Sequence, residues 1–408
     1  MILDEFPSGP RLLSYCTNVH PAESVDEILQ QLRRHTAPLR RRFADAEVFG
    51  LGLRLGARAV EELEEDPETF ERLEAFLREE QILPFTINAF PQGAFQTDGL
   101  KESVYLPDWS TAERRDYTLA AGRILGRLLV PHLDHGTIST LPLGAGDPGP
   151  EHRSACIANL LEVVRRLGEL EETTGVRVQV LIEAEPGCII ESTSQMIAFF
   201  KEDLLPAARS LESLGGRSGE EQCLRHLGVC YDAAHQAVLF EEASYNLERY
   251  EREGIPIGKV QLSCAIELKR PHENPEGCER LRLFDEPRFL HQVVGRAGPG
   301  DLHSFPDLGP FFEALERDEQ SFEAVRCHFH VPIHQQGTFP IGTTQNHLLE
   351  ILHRLRTSPE VPHLEVETYT LGILQETGMP LPEMVDVIEA ELRFARERLG
   401  GSAAPPPG

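Results

Sequence analysis

The sequence predicts an α/β fold, a single (β/α)8 TIM barrel. Three observations predict it. Apolar, β-rich segments recur between amphipathic helical stretches along the whole chain. Several of those segments are nearly continuous in apolar character, as strands covered on both faces are. No low-complexity linker divides the 408 residues, which at 40% hydrophobic can bury a sizeable core. A doubly wound open sheet is the alternative. Its dinucleotide-binding version has no support, because no Gly-x-Gly-x-x-Gly follows any strand candidate.

In chain order the strand candidates are Leu12–Thr17, Val48–Leu53, Leu83–Ala89, Ile138–Leu143, Val178–Glu183, Leu227–Asp232, Val260–Ile266, Val325–Val331 and Leu364–Tyr369. Helices are expected between them. Ala22–Arg42 follows Pro21 and ends in Arg40-Arg41-Arg42, a basic cluster suited to a helix C-terminus. Asp66-Pro67-Glu68 starts another with an N-cap and an N1 proline. Ser110–Leu129, Glu151–Glu172, Ser192–Leu214 and Leu381–Leu399 complete the set, with capping-box spacing at Ser110/Glu113 and Ser192/Gln195. The Gly144–Gly149 run reads as a turn into the Glu151 helix. Residues 268–323, rich in Pro, Gly and charge, read as an insertion over the barrel's active face. The expected barrel spans 1–399 and 400–408 reads as a disordered tail. The candidates exceed the eight barrel positions by one. Either Val260–Ile266 or Val325–Val331 is supernumerary, or an early candidate lies outside the barrel.

A formal net charge of −27 argues against nucleic acid and anionic membranes as partners. No apolar run reaches the roughly 18–20 residues of a membrane span. Met1–Pro10 is acidic and has no apolar signal region. The eight cysteines show no C-x-x-C spacing and read as reduced thiols of a cytoplasmic protein. Gly-x-Ser-x-Gly, P-loop and His-Glu-x-x-His motifs are absent from the sequence.

Chemistry concentrates where apolar runs end. Leu181-Ile182-Glu183 and Tyr231-Asp232-Ala233-Ala234-His235 close two strand candidates with carboxylates. In His328-Phe329-His330 and Glu365-Val366-Glu367, alternation puts both flanking groups on one face. Charged groups on barrel strands are costly unless paired or metal-bound, which is the reason to group them. Carboxylates with one or two imidazoles suit Mn²⁺, Mg²⁺, Co²⁺ or Zn²⁺. Two carboxylates facing one ion, Glu183 and Glu367, can bracket a sugar-like substrate and move a proton between adjacent carbons. Asn18 and His20, after the first strand, are placed for substrate contact. Lys269, Arg270 and His272 either meet an anionic substrate group or form a solvated loop. Glu185 faces the site or solvent, and Glu365 bonds a neighbouring strand or a metal. His132, His135 and His334 also flank strands or helices, and the bland reading of each is structural.

These strings resemble the xylose-isomerase-like barrels, which include sugar-phosphate isomerases, ketose 3-epimerases and endonuclease-IV-type enzymes. Residue by residue, the resemblance implies Glu183, Asp232, His330 and Glu367 as ligands of a divalent metal, with His235 and His328 near the substrate. Ser14-Tyr15-Cys16-Thr17-Asn18-Val19-His20-Pro21, His328–Pro332 and His363–Thr370 also resemble the EboE-type metabolite traffic proteins. That resemblance implies a small polar metabolite, a secondary-metabolite export pathway and partner proteins within it. Asp232 and His330 lie further apart than one barrel unit, and Gln261 sits where the third ligand is expected by length. Both stay open as the third ligand. The functional expectation is a metal-dependent isomerase or epimerase, with a non-catalytic metabolite-binding barrel as the alternative. The acidic charge makes endonuclease chemistry the least supported of the inherited options.

Overall fold

The computed structural model describes residues 1–3, 11–43, 48–129, 133–146, 148–317, 320–337, 340–376 and 382–400. Its strands in chain order are β1 (Ile2–Leu3), β2 (Arg11–Tyr15), β3 (Phe49–Arg54), β4 (Ile82–Asn88), β5 (His135–Thr140), β6 (Arg177–Glu183), β7 (Leu227–Asp232) and β8 (Ile257–Leu262). There follow β9 (Cys264–Lys269), β10 (Val293–Gly298), β11 (Asp301–Phe305), β12 (Ala324–Val331), β13 (Gly342–Thr343) and β14 (His363–Val366).

A nine-stranded sheet has the order β1-β2-β14-β8-β7-β6-β5-β4-β3. Short β1 pairs antiparallel with β2, and every other ladder in it is parallel. A single parallel bridge, Cys16 to Gly52, brings β2 back to β3, so the sheet is barrel-like and nearly closed. β3, β4, β7 and β8 are buried throughout, which is why their sequences run apolar without alternation.

The helices form where capping chemistry allows. Asp66 accepts from the Glu68 amide ahead of Pro67–Glu79. Ser192 and Gln195 make the full reciprocal box that opens Thr193–Ala198. The other expected box is corrected: Thr111, not Ser110, caps Ala112–Leu128, because Ser110 is held by Asp108. Gly149 precedes the long helix Pro150–Thr174, and Gly175 ends it at φ 73, a left-handed conformation that favours glycine.

The surplus strand resolves at Ser263. Val260–Ile266 is two strands: β8 ends at Leu262 in the large sheet, and β9 starts at Cys264 in another. That second sheet is antiparallel, with the order β11-β10-β12-β9-β13. Val325–Val331 belongs to it as part of β12 and is not a strand of the large sheet. The insertion expected over 268–323 is therefore part of a larger sheet-forming segment running from β9 to β13. Of the expected tail, Gly400 caps the helix Met384–Leu399 at φ 102, and 401–408 lie outside the described residues. So does His132. Among the described residues no helix is long and apolar enough to cross a membrane. All eight cysteines are free thiols.

Candidate metal centre

The C-terminal ends of the parallel strands converge on one cavity, as barrel geometry favours. Glu183 is the last residue of β6, Asp232 the last of β7 and Asn88 the last of β4. Glu367 follows β14, and a short turn, Thr17–Val19, brings Asn18 in after β2. The smaller sheet contributes from the side: β12 carries His328 and His330, and its neighbour β10 follows Gln292. Asn18, Asn88, Glu183, Glu185, His235, His328 and Glu367 all line the cavity, of about 60 Å³.

Asp232 and Glu367 are each gripped on one side. Asp232 caps the helix Ala233–Val238 through Oδ1, which accepts from the His235 amide at 2.9 Å and from the Ser263 hydroxyl at 2.9 Å. Glu367 Oε1 accepts from the side-chain amides of Asn18 at 2.7 Å and Asn88 at 2.9 Å. Asp232 Oδ2 and Glu183 Oε2 are buried without a hydrogen-bond partner among the described residues.

The imidazoles follow the same logic. Nδ1 of His330 donates to the Glu367 carbonyl at 2.8 Å, and Nδ1 of His235 donates to the Ala184 carbonyl at 3.0 Å. Nδ1 of His328 donates to the Gln292 amide oxygen at 2.7 Å. With Nδ1 protonated, each ring keeps its lone pair on Nε2, the arrangement that orients metal-binding histidines. Nε2 of His328, 3% exposed, and of His330, 0% exposed, is buried without a partner among the described residues.

Donor atoms meet in three overlapping groups: Asp232, His330 and Glu367; Glu183, Asp232 and His235; His235, His328 and His330. Within each group they lie within 4.8 Å of one another. Burial, together with the charges of Glu367 and Asp232, raises the Glu183 pKa well above its ordinary value. Burial, with Asp232 and Glu365, does the same to Glu367. Burial opposes ionisation of Asp232 too, but His235, His330 and its two hydrogen-bond donors hold it below its ordinary value. Burial pushes His330 down to about 4 and His328 well below its usual range. Buried anions and neutral imidazoles with unmatched lone pairs fit a hard or borderline divalent cation.

The remaining expected residues separate. Gln261 is buried in β8, where its side-chain oxygen accepts from the Cys230 thiol. The long sequence gap before His330 is the length of the smaller sheet. Glu365 is inward but forms an ion pair with Lys259 at 2.6 Å. His20 does not reach the cavity. The turn that brings in Asn18 carries it outward, against the Tyr15 hydroxyl at 3.2 Å and stacked on His35. Arg270 is also corrected: it follows β9 of the smaller sheet, exposed and paired with Glu273. His135 stacks on His363 at the opposite end of the parallel strands. His334 is half-buried and lines neither the cavity nor a donor group.

Sequence reasoning missed Asn88, Tyr105, Ser263 and Gln292, and left Glu185 open. Asn88 had a signal, because it ends an apolar strand at the position equivalent to Glu183 and Asp232. Tyr105 had none; it reaches Glu185 Oε1 at 2.9 Å from the end of the short 3-10 helix Lys101–Tyr105. Glu185 is buried, which raises its pKa to about 6. Phe95, Phe289 and Tyr369 form an aromatic wall with ring centroids 4.9–5.4 Å apart. Lys101, also in the lining, is engaged by Asp307 at 2.8 Å.

No family model matches the chain, and no curated protein does. Among solved structures it is similar to a D-tagatose 3-epimerase-like protein, at 11% identity over 95% of this chain and 100% of that one, with a TM-score of 0.46. It is similar to an IolI protein with a binding zinc atom, at 12% identity over 95% and 98%, TM-score 0.46. A third is a xylose isomerase-like TIM barrel protein from Mycobacterium smegmatis in complex with magnesium, at 11% identity over 95% and 96%, TM-score 0.49. At such scores the reading of the site rests on its own geometry.

Proposed function

We propose that the chain is a single (β/α)8 barrel, carrying the smaller sheet between its last two strands, and a divalent-metal-dependent isomerase or epimerase of a small polar metabolite. The observation that carries this is a set of buried donor atoms without a hydrogen-bond partner among the described residues, in overlapping donor groups: Glu183 Oε2, Asp232 Oδ2 and His330 Nε2. Glu183, Asp232, His330 and Glu367 would hold the metal. Bound there, Mn²⁺, Zn²⁺, Mg²⁺ or Co²⁺ supplies Lewis-acid polarisation of a substrate carbonyl or hydroxyl.

The protein's own groups do the rest. Glu183 and Glu367 approach from β6 and β14, which are separated in the sheet by β7 and β8. Burial and the neighbouring carboxylates raise both pKa values, a direction that favours taking up a proton. Asn18 and Asn88 fix the Glu367 carboxylate, while His235 and His328 face the substrate. The aromatic wall of Phe95, Phe289 and Tyr369 keeps water from the proton in transit. The sequence resemblance to EboE-type proteins supports a place in a secondary-metabolite export pathway in the cytoplasm, beside partner proteins of that pathway.

Metal-replete protein is expected to wash solvent deuterium into one carbon position of a ketose, polyol or cyclic ketone from a panel. Absence of exchange, with specific capture of one metabolite, would favour the alternative, a barrel that binds without catalysis.

A further inference from the structure

We propose that the substrate carries an amino group and that Glu185 receives its ammonium form, beside the metal and not on it. The inference rests on the metal-dependent reading above and narrows its substrate class. Glu185 is 6% exposed and lines the same cavity as Glu183 and Glu367. Its Oε1 accepts from the Tyr105 hydroxyl at 2.9 Å. Its other oxygen has the Cys188 thiol at 4.0 Å, a weak donor at the limit of reach.

The direction of the hydrogen bonds around Glu185 says what kind of ligand fits. Nδ1 of His328 donates to the Gln292 amide oxygen, the Gln292 amide nitrogen donates to the Tyr105 hydroxyl at 3.0 Å, and Tyr105 donates to Glu185. Every proton in this chain points towards the carboxylate. What it leaves to a ligand is lone pairs, on the second Glu185 oxygen and on His328 Nε2. Asn18 adds another: its Nδ2 is spent on Glu367, and its Oδ1 is buried without a partner among the described residues. The Tyr369 hydroxyl, also in the lining, can act either way. A ligand that satisfies such a lining brings donors. An ammonium is all donor, whereas each hydroxyl also brings lone pairs that need donors of their own.

Charge points the same way. Glu183, Asp232 and Glu367 on one divalent cation already leave the metal shell net negative, and Glu185 adds a further buried carboxylate. Lys259 is paired with Glu365, and Lys101 is bonded to Asp307. A phosphate or carboxylate on the ligand would deepen this negative charge, and an ammonium reduces it. Phe90 and Tyr105 also line the cavity, with ring centroids 6.1 Å apart, and aromatic faces favour a cation.

Matched probes test this. 1-Amino-1-deoxy-D-fructose, D-fructose and D-fructose 1-phosphate differ only in the group at their first carbon. Each is titrated by calorimetry into full-length protein loaded with Co²⁺, after bound metal per chain has been measured by elemental analysis. The amine is expected to bind about 10–100-fold more tightly than fructose, the worth of one charge-assisted hydrogen bond, and the phosphate not to bind. Glu185→Gln, similar in shape and uncharged, is expected to erase that preference and to keep the bound metal. If it does not fold, Tyr105→Phe takes its place; it frees the carboxylate from its hydroxyl donor and is expected to reduce the preference with metal content unchanged. Equal affinities, a tighter phosphate, no binding of the amine, or a preference that survives Glu185→Gln overturns the subsite and leaves the metal-dependent reading standing. Wild-type protein that binds no metal overturns that reading and the inference with it.

Discussion

Lys259 and Glu365 lie on neighbouring strands, each with a fully buried side chain. Lys259 Nζ contacts both oxygens of Glu365, at 2.6 and 3.1 Å, and donates to Ser139 Oγ at 3.1 Å. Burial alone would lower the lysine pKa, but Glu365 at contact distance raises it above its ordinary value. Glu365→Gln leaves a charged ammonium buried without its counter-ion, and breaking such a pair costs about 3–5 kcal/mol. In a chain of 408 residues that is roughly 4–6 °C of thermal midpoint. Replacing both partners, Lys259→Met with Glu365→Leu, should recover most of the loss, because the desolvation penalty disappears with the charges. The raised pKa fixes the pH behaviour. Lysine stabilisation is fully present below its unfolded value of 10.5 and is lost only as pH rises through the raised folded value. The deficit should therefore be the same at pH 6 and pH 8. Urea midpoints of wild type, single and double variants at both pH values make the assay. A single-variant loss below about 1 kcal/mol, or a double variant no better than the single, refutes the reasoning. Gly52 gives a steric check on the same spot. A Cβ there would stand 2.4 Å from Glu365 Oε1, so Gly52→Ala should destabilise by about 1–3 kcal/mol.

Three further outcomes are expected. Asn18→Ala removes one of two amides holding Glu367 Oε1, so cation affinity measured by calorimetry should fall about 10–100-fold with unchanged stoichiometry. Burial, aided by Arg326, lowers His347 from 6.5 to about 4. The unfolded chain therefore binds the extra proton as pH falls from 6.5 towards 4, and stability drops by up to about 1.4 kcal/mol per pH unit from this group. That share of the slope should vanish in His347→Gln, read from urea midpoints across the window. Ser192→Ala breaks the reciprocal cap of the helix Thr193–Ala198 and should cost about 1 kcal/mol, read the same way.

The parallel strands were legible because burial on both faces leaves an apolar run that ends where the polar cavity begins. Glu183 and Asp232 mark such ends directly; Glu183 lines the cavity and Asp232 shares a donor group with it. Asp66 and Ser192 were legible as caps because side-chain-to-backbone bonds are local. The smaller sheet was not legible. Val293–Gly298 holds two glycines, and Asp301–Phe305 is mostly polar, so neither carries a strand's apolar signature. A continuous apolar string also hid the change of sheet at Ser263, since a chain can switch partners without changing composition. Arg270 and His20 were misplaced for one reason. Proximity to a strand end in sequence says nothing about which sheet the strand joins or which way the following turn faces. Tyr105 and Gln292 act through contacts distant in sequence, which no local pattern encodes.

Strand order has a consequence for how the molecule is made. β14 lies between β2 and β8, so the last strand synthesised is the one that joins the first to the rest. Until it enters, the seam of the large sheet is open, Lys259 lacks Glu365, and Glu367 is absent from the cavity. The pocket is thus finished only after β14 has emerged. A nascent or truncated chain lacking β14 would expose the edges of β2 and β8 together, a template for unwanted pairing.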